Sequence, residues 1–222
     1  MFYSHNLRLI FLLLLFILTI STWYFAVLRP LAFSRYFAAE DHLVEYSTAI
    51  LLALASVSLA ALSRRVVGYK SWLLVFYALA FMIAAGEEVS WGQRIFGIKS
   101  NEFFLKNNFQ GETNIHNLVV GGEQLVEFWF GTLLSATILA YLVVIPLLYP
   151  ISPFVRGALD FLAVPVAERW VAPVAVVWSG FVVWIDLPRN WEIYECVFAI
   201  LICTVFLGPK NPETFNFEKA LQ

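Results

Sequence analysis

An all-α, polytopic membrane helix bundle with about six transmembrane helices is the fold class this sequence predicts, and three observations predict it. First, 61% of the 222 residues are hydrophobic and only 14% are charged, against about 25% charged in an ordinary soluble domain. Mean hydropathy is +0.77, so there is too little polar surface to coat a soluble globule of this size. Second, several runs approach or exceed the ~18–20 apolar residues that cross a bilayer. Third, the ~10-residue alternating strands of a membrane barrel are absent, and helices and closed barrels are the structures that span lipid.

The helices follow in order. Segment 9–27 comes after Arg8 and outruns the ~7–15-residue apolar core of a signal peptide. No small-x-small cleavage site follows it, so it reads as a retained transmembrane helix. Segment 43–62 opens on Glu40, Asp41 and His42, and acidic residues suit a helix N-terminus and its dipole. Segment 72–89 runs fifteen residues without a charge before Glu87 and Glu88. Segment 126–148 ends among Pro146, Pro150 and Pro153. After it, 154–164 mixes apolar and charged residues, with Arg156 and Asp160 four apart, and is expected to lie along the membrane surface as an interfacial helix. Segments 170–187 and 191–207 are short, and Pro188 breaks the turn between them. Cys196 and Cys203 lie two turns apart on the last of these, about 10 Å along a helix, which is too far for a mutual disulfide. They read as small apolar packing residues. No repeat or linker divides 1–208, so it reads as one domain, and 209–222 reads as a polar, extended cytoplasmic tail.

The net charge of −2 and the lack of a basic stripe exclude a nucleic-acid partner. With the N-terminus inside, eight Lys and Arg fall on the inner side and six on the outer, and Arg64, Arg65 and Lys70 form the most compact inner group. That bias places both termini in the cytoplasm. The acidic residues sort more sharply. Twelve of sixteen gather at the proposed outer face: Glu40, Asp41, Glu45, Glu87, Glu88, Glu102, Glu112, Glu123, Glu127, Asp186, Glu192 and Glu195. Only Asp160, Glu168, Glu213 and Glu218 fall opposite. Acidic residues contribute little to insertion, so the asymmetry reflects either a solvated vestibule or a site.

The third helix carries the densest chemistry, Gly86-Glu87-Glu88-Val89-Ser90-Trp91-Gly92-Gln93-Arg94. Ionisable groups at membrane depth are costly and are functional candidates by default. If the helix continued, Glu87, Trp91 and Arg94 would share a face, so Glu87 could pair with Arg94 directly or through a bound group, and Glu88 would point to another helix. Two adjacent carboxylates repel when both are ionised, an arrangement suited to a general acid or proton carrier. A buried Glu–Arg pair that fixes packing is the competing reading. Glu45 and Glu195 each lie about a turn inside their apolar runs, deeper than capping requires, whereas dipole complementarity accounts for Glu192. The connection 94–124 is longer than compact domains usually use. It holds apolar anchors and the amides Asn108, Gln110, Asn114 and Asn117, which both donate and accept hydrogen bonds and suit a head group. Glu112 and His116 are four apart and, if helical, would share a face as an acid–base pair or metal ligands. His5 lies on the opposite side, so a three-histidine zinc site is excluded, whereas a two-histidine-plus-carboxylate site for a divalent metal from His42, His116, Glu112 and Glu88 stays open. No P-loop, dinucleotide fingerprint or nucleophile elbow is present, and Ser90 reads as a packing or hydrogen-bonding serine.

The run 87–94, followed by Asn108-x-Gln-x-Glu-x-x-x-His116-Asn117, resembles a family of bacterial multi-pass membrane proteins of uncharacterised activity. The likeness covers about 40–118 and includes the acidic opening of the second helix. It implies an integral membrane protein and brings no activity with it; the inner membrane is the expected location.

Three functions are compatible with these residues. One is an enzyme acting on a lipid or lipid-linked substrate at the outer face. In it Glu87, Glu88, His116 and Glu45 serve acid–base chemistry, and Arg94 anchors an anion. Trp91, Gln93, Asn108, Gln110, Glu112, Asn114, Asn117 and Glu195 read the head group. The second is a proton- or cation-coupled transporter, and the third a non-catalytic assembly or binding subunit of a membrane complex. Neither substrate nor oligomeric state is legible.

Overall fold

The structure, a computed structural model, describes residues 5–215. Glu218 and Lys219 lie outside the described residues, as do the side chains of His5, Glu123 and Glu127. The fold is all-α apart from one two-stranded hairpin. Helix α1, His5–Trp23, continues as a π-helical turn, Tyr24–Leu28. A helical turn at Pro30–Ala32 and a second π-turn, Phe33–Phe37, fold back beneath it. They bury Phe33 and stack Phe37 on Phe25, ring centroids 4.7 Å apart. Helix α2 is Leu43–Ser63 and α3 is Tyr69–Glu88. The long connection is ordered: α4, Gln93–Phe96, then α5, Glu102–Asn107, whose cap Asn101 accepts from the Phe104 N–H at 3.1 Å, then a hairpin of β1, Val119–Val120, and β2, Glu123–Gln124. A π-helical stretch, Val126–Leu133, runs directly into α6, Leu134–Leu148. Helix α7 is Pro153–Phe161, α8 is Val171–Ile185 and α9 is Asn190–Leu207.

Among the described residues, five helices are long and apolar enough to cross a membrane: Leu7–Leu28, Leu43–Ser63, Tyr69–Glu88, Gly131–Leu148 and Asn190–Leu207. The expected 170–187 helix is shorter, because only Val171–Ile185 is helical. Hydropathy continues through Leu187, but the backbone turns left-handed at Asp186 (φ 40°) and again at Arg189 (φ 68°). The expected surface helix 154–164 likewise stops at Phe161, before Ala163 takes φ 50°.

Helix α9 is the axis. Of its most apolar window 61% is buried, against 17% for Tyr69–Glu88 and 11% for Gly131–Leu148. It packs against α1, α2 and α8. Helix α3 is attached mainly through α2, and α6 mainly through α8. The core of Val197, Leu201, Val205 and Ile193 on α9 meets Trp178 and Val182 of α8 and Phe33 of the folded-back turn. Cys196 and Cys203 are free and buried within it.

The start of the tail corrects the expectation of an extended segment. Residues 208–215 dock on the face opposite the acidic one. Asn211, 0% exposed, accepts from the Val166 N–H at 2.8 Å and donates to the Val164 carbonyl at 3.1 Å. Thr214 donates to Asp160 at 2.8 Å, Tyr149 donates to the same oxygen at 3.0 Å, and Lys70 donates to the Thr214 carbonyl at 2.6 Å. Burial, and then the bond to Asp160, push the Tyr149 hydroxyl up to about 12. The polar residues of the tail are thus the partners of backbone groups released where α7 ends; left buried and unpaired, those groups are costly. Residues 216–222 lie outside the described residues.

Candidate functional site at the acidic face

The helix that carries Glu87 and Glu88 ends there. Ser90 (φ 46°), Trp91 (φ 56°) and Gly92 (φ 74°) are all left-handed and reverse the chain. Gly92 is the residue that adopts this conformation without a steric penalty. The Trp91 ring folds back over Gly86, where an added Cβ would lie 2.8 Å from it, and the indole N–H donates to Glu87 at 2.9 Å. Because the helix stops, the i+7 relation between Glu87 and Arg94 does not form. That expectation is corrected.

Arg94 instead bridges three carboxylates. It pairs with Asp41 and Glu112, and at 3.7 Å with Glu40. Partial burial works against its charge, but the Asp41 bond and the Glu112 charge hold the guanidinium above its ordinary value. Arg189 reaches Glu40 from the α8–α9 turn at 2.9 Å. Asp41 also gives its backbone N–H to Glu45. His42 directs its ring Nδ1 at the Glu40 carbonyl, 2.6 Å away.

The amides largely hold the connection together. Asn108 donates to Asn114 Oδ1 at 2.7 Å and accepts from the N–H groups of Gln110 and Glu112 at 2.9 and 3.1 Å. Asn114, 1% exposed, donates to Ser90 at 2.8 Å and to Glu112 at 3.2 Å. Ser90 donates to Glu112, the hydrogen-bonding role its sequence context suggested. Gln93 accepts from the Thr113 N–H at 2.7 Å and from Ser100 at 3.0 Å. Gln110 donates to Glu40 at 2.6 Å. Glu87 accepts from the N–H groups of Ile115 and His116 at 2.6 and 3.1 Å, and His116 Nδ1 lies 3.5 Å from it.

Residues 108–118 are therefore a hydrogen-bonded loop closed by an Asn108–Leu118 bridge, not a helix. Glu112 and His116 do not form the pair that four-residue spacing suggested: Glu112 faces Arg94 and Ser90, and His116 faces Glu87. Among the described residues no three His, Cys, Asp or Glu converge as metal ligands, so His42, His116, Glu112 and Glu88 are not brought together as one set.

Behind this network lies a cavity of about 990 Å³. Its polar end is lined by Glu45, Glu88, Glu192, Glu195, His116 and Asn117. Its apolar end is lined by Tyr77, Phe81, Ile138, Ile202 and Phe206. From Glu192 to Phe206 is fourteen residues of α9, a depth of about 21 Å at the helical rise. The side chains of Glu88, Glu192 and Glu195 form neither hydrogen bond nor ion pair with any described residue, and with Glu45 they lie close enough to feel one another's charge. Arg94 is not on the cavity wall.

The chain matches no protein-family model, no curated protein and no solved structure.

Sequence reasoning assigned Glu192 to the helix dipole, yet it shares the wall with Glu88 and Glu195. The apolar half of the cavity was unreadable, because Tyr77, Phe81 and Phe206 look like ordinary core or lipid-facing residues in a sequence this apolar.

Proposed function

We propose that this is an integral membrane enzyme that holds a lipid or lipid-linked substrate in the cavity and acts on its head group at the outer face. The observation that carries the reading is the cavity itself. One chamber of lipid-chain depth joins an apolar interior to the carboxylates of Glu88, Glu192 and Glu195, which have no partner among the described residues, and sites of roughly 300–1,000 Å³ with a few convergent polar groups are typical ligand sites. Glu88 and Glu195 are the candidate acid–base groups, facing the chamber from α3 and α9. Glu87 and Arg94 are positioning residues, because their bonds hold the loop that carries His116 and Asn117 over the opening.

The topology that goes with this reading has six spans, with α8 the shortest, and both termini in the cytoplasm of a bacterial inner membrane. A crossing α8 returns the chain to the face where α9 begins, and so keeps Glu88, Glu192 and Glu195 at one depth.

The test is product formation from candidate membrane lipids by the purified protein, with Glu88→Gln and His116→Ala alongside. Glu88→Gln is expected to lower turnover at least 100-fold, within the usual range for a lost acid–base group. Undiminished turnover in both variants sinks the assignment. The depth of the chamber also favours a second reading, a carrier that moves a proton or cation together with its ligand. The carboxylates sit at one end and not at mid-depth, where carrier sites usually lie. Flux through proteoliposomes that responds to a pH gradient would favour it over the enzyme.

A further inference from the structure

The chamber has a side door and a charge bias, and together they specify its occupant. Helices α3 and α6 both line it, yet among the described residues they make at most marginal contact with each other. Ile83 on α3 and Leu134 on α6 line the chamber while being 52% and 46% exposed, which makes them the two lips of a gap. Toward the opposite face the gap narrows, where Tyr77 and Tyr141 pack on one apolar cluster and donate to the carbonyls of Leu162 and Pro165 at 2.8 and 2.6 Å. An opening lined by exposed apolar side chains within about a turn and a half of the acidic ends of two peripheral spans, Tyr69–Glu88 and Gly131–Leu148, opens toward the outer part of the bilayer.

The walls are one-signed. Seven glutamates line the chamber, and among the described residues no lysine or arginine does. Ionised phosphate brought beside Glu88, Glu192 and Glu195 would meet net repulsion, because the nearest cations, Arg94 and Arg189, are already paired with Glu40, Asp41 and Glu112, whereas an ammonium would supply charge and donors. A second observation points to the same place. Asn117 is 5% exposed and lines the chamber, its N–H and carbonyl are bonded within the loop, and its carboxamide has no partner among the described residues. A buried amide without a partner is a group that awaits one. Trp191 and Phe109, on the wall and 51% and 63% exposed, add aromatic surface of the kind that attracts cations.

We infer that the chamber binds a single-chain amphiphile with a cationic amine head, which enters from the bilayer between α3 and α6 and places its amine among Glu88, Glu195 and Asn117. This deepens the proposed function and rests on its site, not on its chemistry.

The test is equilibrium binding of radiolabelled dodecylamine to the full chain in phosphatidylcholine nanodiscs, with dodecanol and dodecyl phosphate as competitors. The expected result is saturable binding of one amine per chain, with the phosphate at least tenfold weaker. The Glu88→Gln/Glu195→Gln double variant should weaken the amine at least tenfold and leave the alcohol within twofold, at unchanged thermal stability. Asn117→Ala, which alters no wall charge, should weaken amine and alcohol alike by about fivefold. Ile83→Trp/Leu134→Trp should slow association at least fivefold. Phosphate binding as tight as amine, unaltered amine binding in the double glutamine variant, or no saturable site overturns the head-group inference, and unaltered association in the tryptophan variant overturns the side entry. Amine binding without turnover of any lipid leaves this inference standing and removes the enzyme. Turnover of a phosphate-headed lipid does the reverse.

Discussion

The two ends of this molecule handle buried polarity in opposite ways. At the face away from the glutamates, Asp160, Asn211, Thr214 and Tyr149 are bonded to one another and to the backbone freed at the end of α7. At the acidic face the loop is just as well bonded around Glu112, but the wall behind it carries Glu88, Glu192 and Glu195, which have neither hydrogen bond nor ion pair among the described residues. A polar group bonded on every side is part of the scaffold. Carboxylates left facing one chamber in a chain this apolar are costly to keep, and such groups are functional candidates by default.

That contrast can be broken from either side. The largest effect is expected from Asn211→Ala. It strands the Val166 N–H and the Val164 carbonyl and should cost about 3 kcal/mol, read as a lower thermal midpoint in detergent; a variant as stable as the wild type would mean the docked segment is not scaffold. Arg94→Ala comes next. It leaves Glu112 and Asp41 without their cation, but the Arg94 side chain is 40% exposed, so the loss should be about 2 kcal/mol, below the ~3–5 kcal/mol of a fully buried pair. Gly86→Ala drives a methyl into the Trp91 ring at 2.8 Å. The half-exposed indole can give way, so about 1 kcal/mol is expected, at the low end for overpacking, with a shift in tryptophan emission marking the displaced ring. The smallest effect is the most informative. Glu195→Gln replaces a carboxyl that has no partner among the described residues with an amide of the same shape, and stability should stay within about 0.5 kcal/mol of wild type or rise. A loss near that of Arg94→Ala would show that Glu195 belongs to the scaffold and erase the contrast.

Much of the fold was legible because hydropathy is a bulk signal. Runs of uncharged residues marked the spans, and Glu45, Glu88 and Glu195 stood out against them at one face. What failed depended on single backbone angles. Placing Glu87 over Arg94 assumed a helix through 94, and three successive positive φ angles at Ser90, Trp91 and Gly92 removed it. Leu187 extended an apolar run past the reversal at Asp186 for the same reason. The roles of the amides were hidden differently. Asn108 and Asn117 are the same residue type in the same loop. Whether a carboxamide closes the loop or faces the chamber depends on neighbours that spacing does not encode. Asn211 was invisible as scaffold because a polar residue near a chain end reads as solvated unless its partners, fifty residues away, are known.

A chamber filled from the bilayer through the gap between α3 and α6, as inferred above, would measure its surroundings in different units. A dodecyl chain is held in a membrane by roughly 10 kcal/mol, at ~0.8 kcal/mol per methylene, so its aqueous concentration is negligible. What arrives at Ile83 and Leu134 is set by the mole fraction of amphiphile among the lipids. Diluting a suspension with buffer leaves occupancy unchanged, whereas diluting the bilayer with inert lipid empties the chamber. For a chain built this way, affinity is a property of a surface density, and the composition of the surrounding leaflet acts on it as directly as any residue of the wall.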